Sequence, residues 1–223
     1  MWHHRHAIHS LISMLNNYDN IAKYYDFLSR MVFFTSQVNA QTYALKHIAK
    51  HSHILIVGGG TGWILEEIRK IHSSGLSIVY LEISLKMIEL SRAKDCGANE
   101  VVFVNEGIED FSALERFDII CTPFLFDNFS QQRADLIWVK LNGMLKTSGL
   151  WLFTDFNLER QGGKWWKQVF LKSMYAFFKL LKIVEASALP DTKSNFEQFN
   201  YLKLEERYFY RGFIQSAIYQ KYL

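Results

Sequence analysis

Gly58-Gly59-Gly60-Thr61-Gly62 stands directly after the apolar run His53-Ile54-Leu55-Ile56-Val57. Glycine carries no Cβ, so this stretch of backbone can approach a ligand closely. The residues behind it (Trp63, Ile64, Glu67, Ile68, Ile71) recur at helical spacing, and a helix N-terminus offers free N–H groups to a ligand. A strand that empties into such a turn is where α/β sheets bind ligands. The plain alternative is a tight strand–helix turn. Twenty residues after Gly62, Glu82 ends a second apolar run, Ser77-Ile78-Val79-Tyr80-Leu81. A carboxylate there can accept both hydroxyl hydrogens of a ribose, and strand, glycine turn, helix, strand and acid together form a nucleoside-cofactor arrangement. Ile83 and Met87 follow and could flank an adenine face; Met87 alone reads more readily as core.

Dinucleotide enzymes share this logic but space their glycines as GxGxxG, with the third glycine inside the helix. Counting from Gly58, that third position is Trp63; counting from Gly60, it is Leu65. Both are large where close helix–strand packing wants a small residue. The spacing here is GxGxG, at Gly58, Gly60 and Gly62, which favours a mononucleoside cofactor over a pyrophosphate.

With these residues in view, the chain resembles the class I S-adenosylmethionine-dependent methyltransferases. Ile54 to Gly62 is similar to that family's first motif, and Leu81-Glu82-Ile83-Ser84 with Met87 to its second. Phe117-Asp118-Ile119-Ile120 is similar to the fourth strand, and Leu145-Lys146-Thr147-Ser148-Gly149-Leu150 to the turn into the fifth. The resemblance spans roughly residues 18–156 and implies S-adenosyl-L-methionine as cofactor. It implies Gly58, Gly59, Gly60, Thr61 and Gly62 around the methionine and ribose, and Glu82 on the ribose. Ile83, Ile108, Glu109 and Thr122 complete the cofactor set it implies. Two positions depart from the family pattern. Ile56 stands where an acid often reaches the cofactor amino group, a task that loop carbonyls could take over. Gly107 stands where an acid usually follows the third strand; Glu106 and Glu109 flank it, and Glu109 is the better placed to reach the adenine amine. Tyr18 to Arg30 is similar to the N-terminal segment of the ubiquinone/menaquinone biosynthesis C-methyltransferase group, which implies a cover over the pocket with Tyr25 against the cofactor. Tyr24 and Tyr25 read equally well as core aromatics of a helix.

On the acceptor side, Thr122-Pro123-Phe124-Leu125-Phe126-Asp127-Asn128 follows the fourth strand. Asp127 is the general-base candidate on this loop, and Asp155, ending the fifth strand, is the second. Each also reads as a capping or loop carboxylate. Methyl transfer needs alignment more than a side-chain catalyst, so the chemistry leaves little trace in the sequence.

These residues need a scaffold. Val101-Val102-Phe103-Val104 and Leu150-Trp151-Leu152-Phe153 add strands to those above, and Ser84 can cap a helix running to about Arg92. Gln131 to Leu141 reads as helix. Five apolar strands alternating with helices predict a mostly parallel sheet covered on both faces. Glu206 to Arg211 and Ile214 to Tyr222 add a closing antiparallel hairpin. The expected fold is α/β: a Rossmann-like, doubly wound, mostly parallel seven-stranded sheet with a C-terminal antiparallel hairpin and a helical cap. Residues 1–50 are expected as an N-terminal helical cap of two helices breaking near Phe34–Ser36. Residues 51–223 are expected as the methyltransferase domain, with a helical insertion over 160–204. Within it, Lys164 to Val184 reads as a long amphipathic helix whose apolar stripe is Trp166, Val169, Phe170, Met174, Phe177, Phe178 and Leu181. A further helix is expected over Phe196 to Leu204.

Composition bounds the rest. The chain is 49% hydrophobic and 16% aromatic, enough for a sizeable core and too apolar for disorder. Its net charge is +3, yet Glu159 to Val184 holds six basic residues against one acid, so the positive charge is local. That segment suits a lid over an apolar pocket, a helix lying on an anionic membrane surface, or a packed helix with a solvated lysine face. No tetrad of the Asn-Pro-Pro-Tyr kind follows the fourth strand and no broad basic surface is evident, so a nucleic-acid partner is not expected. Two cysteines give no disulfide framework, and no signal or membrane-spanning run is seen, so a reducing, cytoplasmic setting is expected. His3, His4 and His6 read as a solvated terminus, and no metal site is expected. The leading expectation is methyl transfer to a small-molecule or lipid-like acceptor, a quinone precursor among them. The alternative is a non-catalytic S-adenosylmethionine-binding or sensor domain.

Overall fold

The computed structural model describes residues 35–158, 164–180 and 188–222. Over these residues the elements run α1 (Ser36–Leu45), β1 (His53–Val57), α2 (Trp63–Ile71), β2 (Ser74–Leu81), α3 (Leu85–Arg92), β3 (Ala98–Val104), β4 (Phe117–Pro123), a short 3-10 turn (Phe126–Asn128), α4 (Gln131–Met144), β5 (Leu145–Phe156), α5 (Lys164–Leu180), α6 (Thr192–Gln198), β6 (Leu202–Phe209), a second 3-10 turn (Tyr210–Gly212) and β7 (Ile214–Gln220). The strands form one seven-stranded sheet in the order β3-β2-β1-β4-β5-β7-β6. β1 to β5 pair in parallel; β7 runs antiparallel between β5 and β6. This is the doubly wound sheet with a closing hairpin that the alternating pattern predicts.

The apolar strand runs follow from burial on both faces. Successive residues of β1 go to opposite sides: Leu55 and Val57 join α4 and α6 residues, while Ile54 and Ile56 join α1 and α2. Trp151 and Phe153 of β5 likewise face α4 and α6, and Leu152 faces the other layer. The α4/α6 side is heavily aromatic. Trp138 stacks on Trp151 at 5.3 Å, and Phe196 lies flat on Tyr219 at 3.8 Å.

Several boundaries differ from the sequence expectation. The helix expected over Phe196–Leu204 ends at Gln198, because Asn200 adopts φ +53 and the chain turns into β6, which starts four residues before Glu206. β5 begins at Leu145 rather than Leu150. Of the two expected N-terminal helices, the second is α1, which begins at Ser36 and packs Ala44 and Leu45, with Ile48 just after it, into the core beside β1. The segment expected as the earlier helix, with Tyr25, lies outside the described residues.

The stripe expected on α5 also shifts. Trp166 and Phe170 are half-buried and Leu171 and Lys167 are buried, but Val169 is 58% exposed and Trp165 is 75% exposed. The inward arc is centred between Trp166 and Leu171, which turns Val169 outward at 100° per residue. Residues 181–184 of that expected helix lie outside the described residues.

Candidate cofactor and acceptor site

β1 delivers the glycine turn to the carboxyl edge of the sheet. Gly58, Gly60 and Gly62 have φ of +70°, +65° and +84°. Gly62 caps α2, and a Cβ there would stand 2.6 Å from the Ser91 Cβ. At Gly59 a Cβ would stand 2.4 Å from the Tyr80 ring. Tyr80 also donates its hydroxyl to the Gly60 carbonyl at 2.9 Å, holding the turn from below. The space where a Gly60 Cβ would point is open. The turn is thus tight on the protein side and free on the ligand side.

Glu82 follows β2 and is 6% exposed. Its Oε2 accepts the Gly60 N–H and its Oε1 accepts the Ser84 N–H, each at 3.0 Å. The carboxylate is therefore fixed by the same turn it adjoins. Ser84 in turn caps α3 by accepting the Met87 N–H at 3.2 Å. Met87 itself is 2% exposed and belongs to the core, as does Ile56 at 0%. Thr61 is buried within the turn, and Ile108 is buried among Leu55, Val57, Leu81 and Phe111. Ile83 is half-buried at the rim.

Beyond β3, Gly107 is buried and leaves the place of a side chain unfilled, a notch of one Cβ. The place a Cβ would occupy lies 3.5 Å from Glu109 Oε2, 3.6 Å from Ile83 Cδ1 and 3.8 Å from Asp110 Oδ2. Glu109 Oε1 accepts from both Nε (3.2 Å) and Nη2 of Arg133 on α4. Glu106 is exposed beside this notch. Thr122 lies elsewhere: its hydroxyl accepts the Trp151 indole N–H at 2.9 Å inside the α4 layer, and the residue is fully buried.

Asp127 and Asp155 come together at the ends of the adjacent strands β4 and β5. They are 7% and 3% exposed. Asp155 accepts the Phe156 N–H at 2.8 Å and the Phe126 N–H at 3.2 Å, while Asp127 accepts the Asn128 amide at 3.0 Å. Burial pushes Asp155 up to about 7, against backbone N–H groups that draw it down. Burial and the neighbouring Asp155 charge push Asp127 well above the carboxylate range. Two neighbouring buried carboxyls resist ionising together, so the pair holds a proton more readily than a free carboxylate does. Leu125, between them and the glycine turn, lies 3.4 Å from where a Gly58 Cβ would stand.

Next to the acids begins a run of rings. Phe124, held at φ +50° with its N–H on the Thr154 carbonyl, lies 5.0 Å from Phe156. Phe156 lies 5.0 Å from Phe213, which meets Trp166 and Phe170 of α5 at 6.0 and 5.3 Å. Lys167 of α5 is fully buried and donates to the Gly212 carbonyl at 3.0 Å. It fastens the cap helix to the β6–β7 turn.

Tyr80, Arg133 and Lys167 escaped the sequence reading. Tyr80 had a weak signal, an aromatic one residue before the strand end. Lys167 had one too, as the basic residue set between the inward Trp166 and Phe170. Arg133 had none, since its partner is 24 residues away. Among the described residues no group of three or more His, Cys, Asp or Glu side chains is arranged to hold a metal ion. No helix among them is long and apolar enough to cross a membrane.

Residues 54–149 match the sequence family described as a methyltransferase domain. The chain is 28% identical over 191 residues to the ubiquinone/menaquinone biosynthesis C-methyltransferase UbiE of Geotalea daltonii, covering 83% of this chain and 76% of that protein. Its fold is similar to that of the Burkholderia thailandensis 1,6-didemethyltoxoflavin-N1-methyltransferase, solved with 1,6-didemethyltoxoflavin and S-adenosylhomocysteine. The TM-score is 0.65 at 12% identity, over 99% of this chain and 90% of that one. A cyclopropane synthase of Mycobacterium tuberculosis gives a TM-score of 0.60 at 13% identity, over 82% and 83%.

Proposed function

We propose that this S-adenosylmethionine-dependent methyltransferase transfers its methyl group to a small-molecule or lipid-like acceptor of the quinone-precursor kind, received against the aromatic run beside Asp155. One observation carries the reading of the acceptor: the rings of Phe124, Phe156 and Phe213 start where the buried acids stand. The relation to UbiE of Geotalea daltonii supports it.

When bound, S-adenosylmethionine supplies a methyl group on a sulfonium, an electrophile that needs alignment more than activation. The chain's own residues do the rest. Gly58 to Gly62 wrap the methionine and ribose, and Glu82, locked by Gly60 and Ser84, accepts the ribose hydroxyls. Ile83 and Ile108 flank the base, and Glu109 receives its amino group. Thr61 and Tyr25 belong to the same proposed set, while the Thr122 hydroxyl is engaged by the Trp151 indole in the core. Asp155 takes the acceptor's proton in its ionised form, and Asp127, holding its own, donates a hydrogen bond. Trp165 and Val169 on the outer face of α5 are suited to an anionic membrane surface, which liposome co-sedimentation of the wild type and a Trp165→Ala variant tests.

Calorimetric titration with S-adenosylmethionine and S-adenosylhomocysteine, beside Glu82→Ala, tests the cofactor site. Saturable binding that the variant loses is the expected result. Labelled methyl transfer to a short-chain prenylated hydroquinone then tests the acceptor. Transfer to an aliphatic acceptor with none to any hydroquinone overturns that half of the reading.

A further inference from the structure

We infer that Arg133 is a positioning residue that aims Glu109 at the 6-amino group of the cofactor's purine, and thereby sets the preference for adenine. The inference rests on the cofactor reading above.

Glu82 fixes where the ribose lies, at the end of β2. The base must then reach the neighbouring strand end, where Gly107, itself buried, leaves the place of a side chain unfilled. That place has one apolar side, Ile83 Cδ1, and one acceptor side, Glu109 Oε2, with no side chain of its own between them. Glu109 is a long, partly exposed side chain on a loop, and free in solution it would sample several rotamers. Nε and Nη2 of Arg133 both donate to Oε1, while Oε2 stands 3.5 Å from the place of a Gly107 Cβ. The Lys140 ammonium holds the Glu109 carbonyl at 2.5 Å, so the backbone is pinned as well. The guanidinium also lies 4.9 Å from the Phe129 ring. Arg133 sits in the first turn of α4, where a cation opposes the helix dipole. Its placement therefore serves Glu109 and not the helix. A carboxylate oxygen accepts from a 6-amino group and repels a 6-oxo group, so the aimed Glu109 separates adenine from its deaminated counterpart.

The test compares S-adenosylhomocysteine with S-inosylhomocysteine by calorimetry on the wild type, Arg133→Met, Arg133→Lys and Glu109→Gln. The wild type is expected to prefer the adenine compound by roughly tenfold or more, the scale of one hydrogen bond to a charged group. Arg133→Met and Glu109→Gln are expected to bring the ratio near one, with binding of S-inosylhomocysteine unchanged or improved, and Arg133→Lys to keep part of the preference. An Arg133→Met variant that retains the wild-type ratio, or weakens both compounds equally, overturns the inference alone. A wild type that binds neither compound overturns the cofactor site and this inference with it.

Discussion

The Tyr80 ring fills the space that any side chain at position 59 would need, 2.4 Å from the would-be Cβ, while its hydroxyl holds the Gly60 carbonyl at 2.9 Å. Tyr80→Phe keeps the ring and removes one hydrogen bond. We expect the affinity for S-adenosylmethionine to fall about fivefold, near 1 kcal/mol, with little change in the melting temperature. Gly59→Ala forces the turn off the ring, and we expect calorimetry to register no cofactor binding by a chain whose circular dichroism is still that of the folded protein.

The pH dependence carries two signs. A base must be ionised, so turnover is expected to rise with pH through about 7 as Asp155 loses its proton. Asp155→Asn should cost about 10²- to 10⁴-fold in rate and abolish that rise. A flat pH–rate profile in the wild type refutes the role of Asp155.

Stability runs the other way. Asp155 titrates higher in the folded chain than its ordinary 3.8, so its stabilising share is full below 3.8 and is lost as pH climbs through about 7. Glu205, held down to about 2 by Lys46 and Tyr43, contributes in the opposite sense, above its ordinary 4.5 and lost as pH falls through about 2. Melting temperatures should therefore decline between pH about 4 and about 7, and less steeply in Asp155→Asn.

Thr122 gives a cleaner separation of scaffold from site. Thr122→Val orphans the buried Trp151 N–H, which should cost about 1–3 kcal/mol in denaturant unfolding. S-adenosylmethionine affinity should stay within about twofold of the wild type, less than half a kcal/mol. A large loss of affinity without loss of stability places the hydroxyl at the cofactor instead.

Lys167→Ala removes a buried stem and leaves the Gly212 carbonyl unpaired. A loss of about 2–4 kcal/mol is expected, with α5 becoming protease-sensitive before the sheet does. Limited proteolysis read by mass spectrometry checks the order of cleavage.

The glycine turn, Glu82, the parallel strands and the closing hairpin were legible because each is local chemistry. A strand run ends in glycine, an acid ends the next, and apolar pairs alternate. The misjudged elements depend on what lies across space. Val169 looks apolar and helical, yet only the position of Phe213 and Tyr210 decides that the inward arc includes Lys167 instead. The end of α6 depends on Asn200 taking a left-handed backbone, which most sequences of that composition do not announce. Asp127 and Asp155 were visible as candidates, but their mutual charge comes from strand ends that only the register of β4 on β5 brings together.

β7 completes the sheet from its middle. The last strand in the chain lies between β5 and β6 and carries Tyr219, the face on which Phe196 stacks. A ribosome must therefore release nearly all of these residues before β6 has a neighbour to pair with, whereas β1 to β4 and the glycine turn can associate earlier. The slow step of folding should be the capture of this hairpin, a long-range closure. Until it occurs, the nascent chain leaves the hydrogen-bonding edge of β5 open and Phe196 without the Tyr219 face it stacks on, the surface most in need of a chaperone.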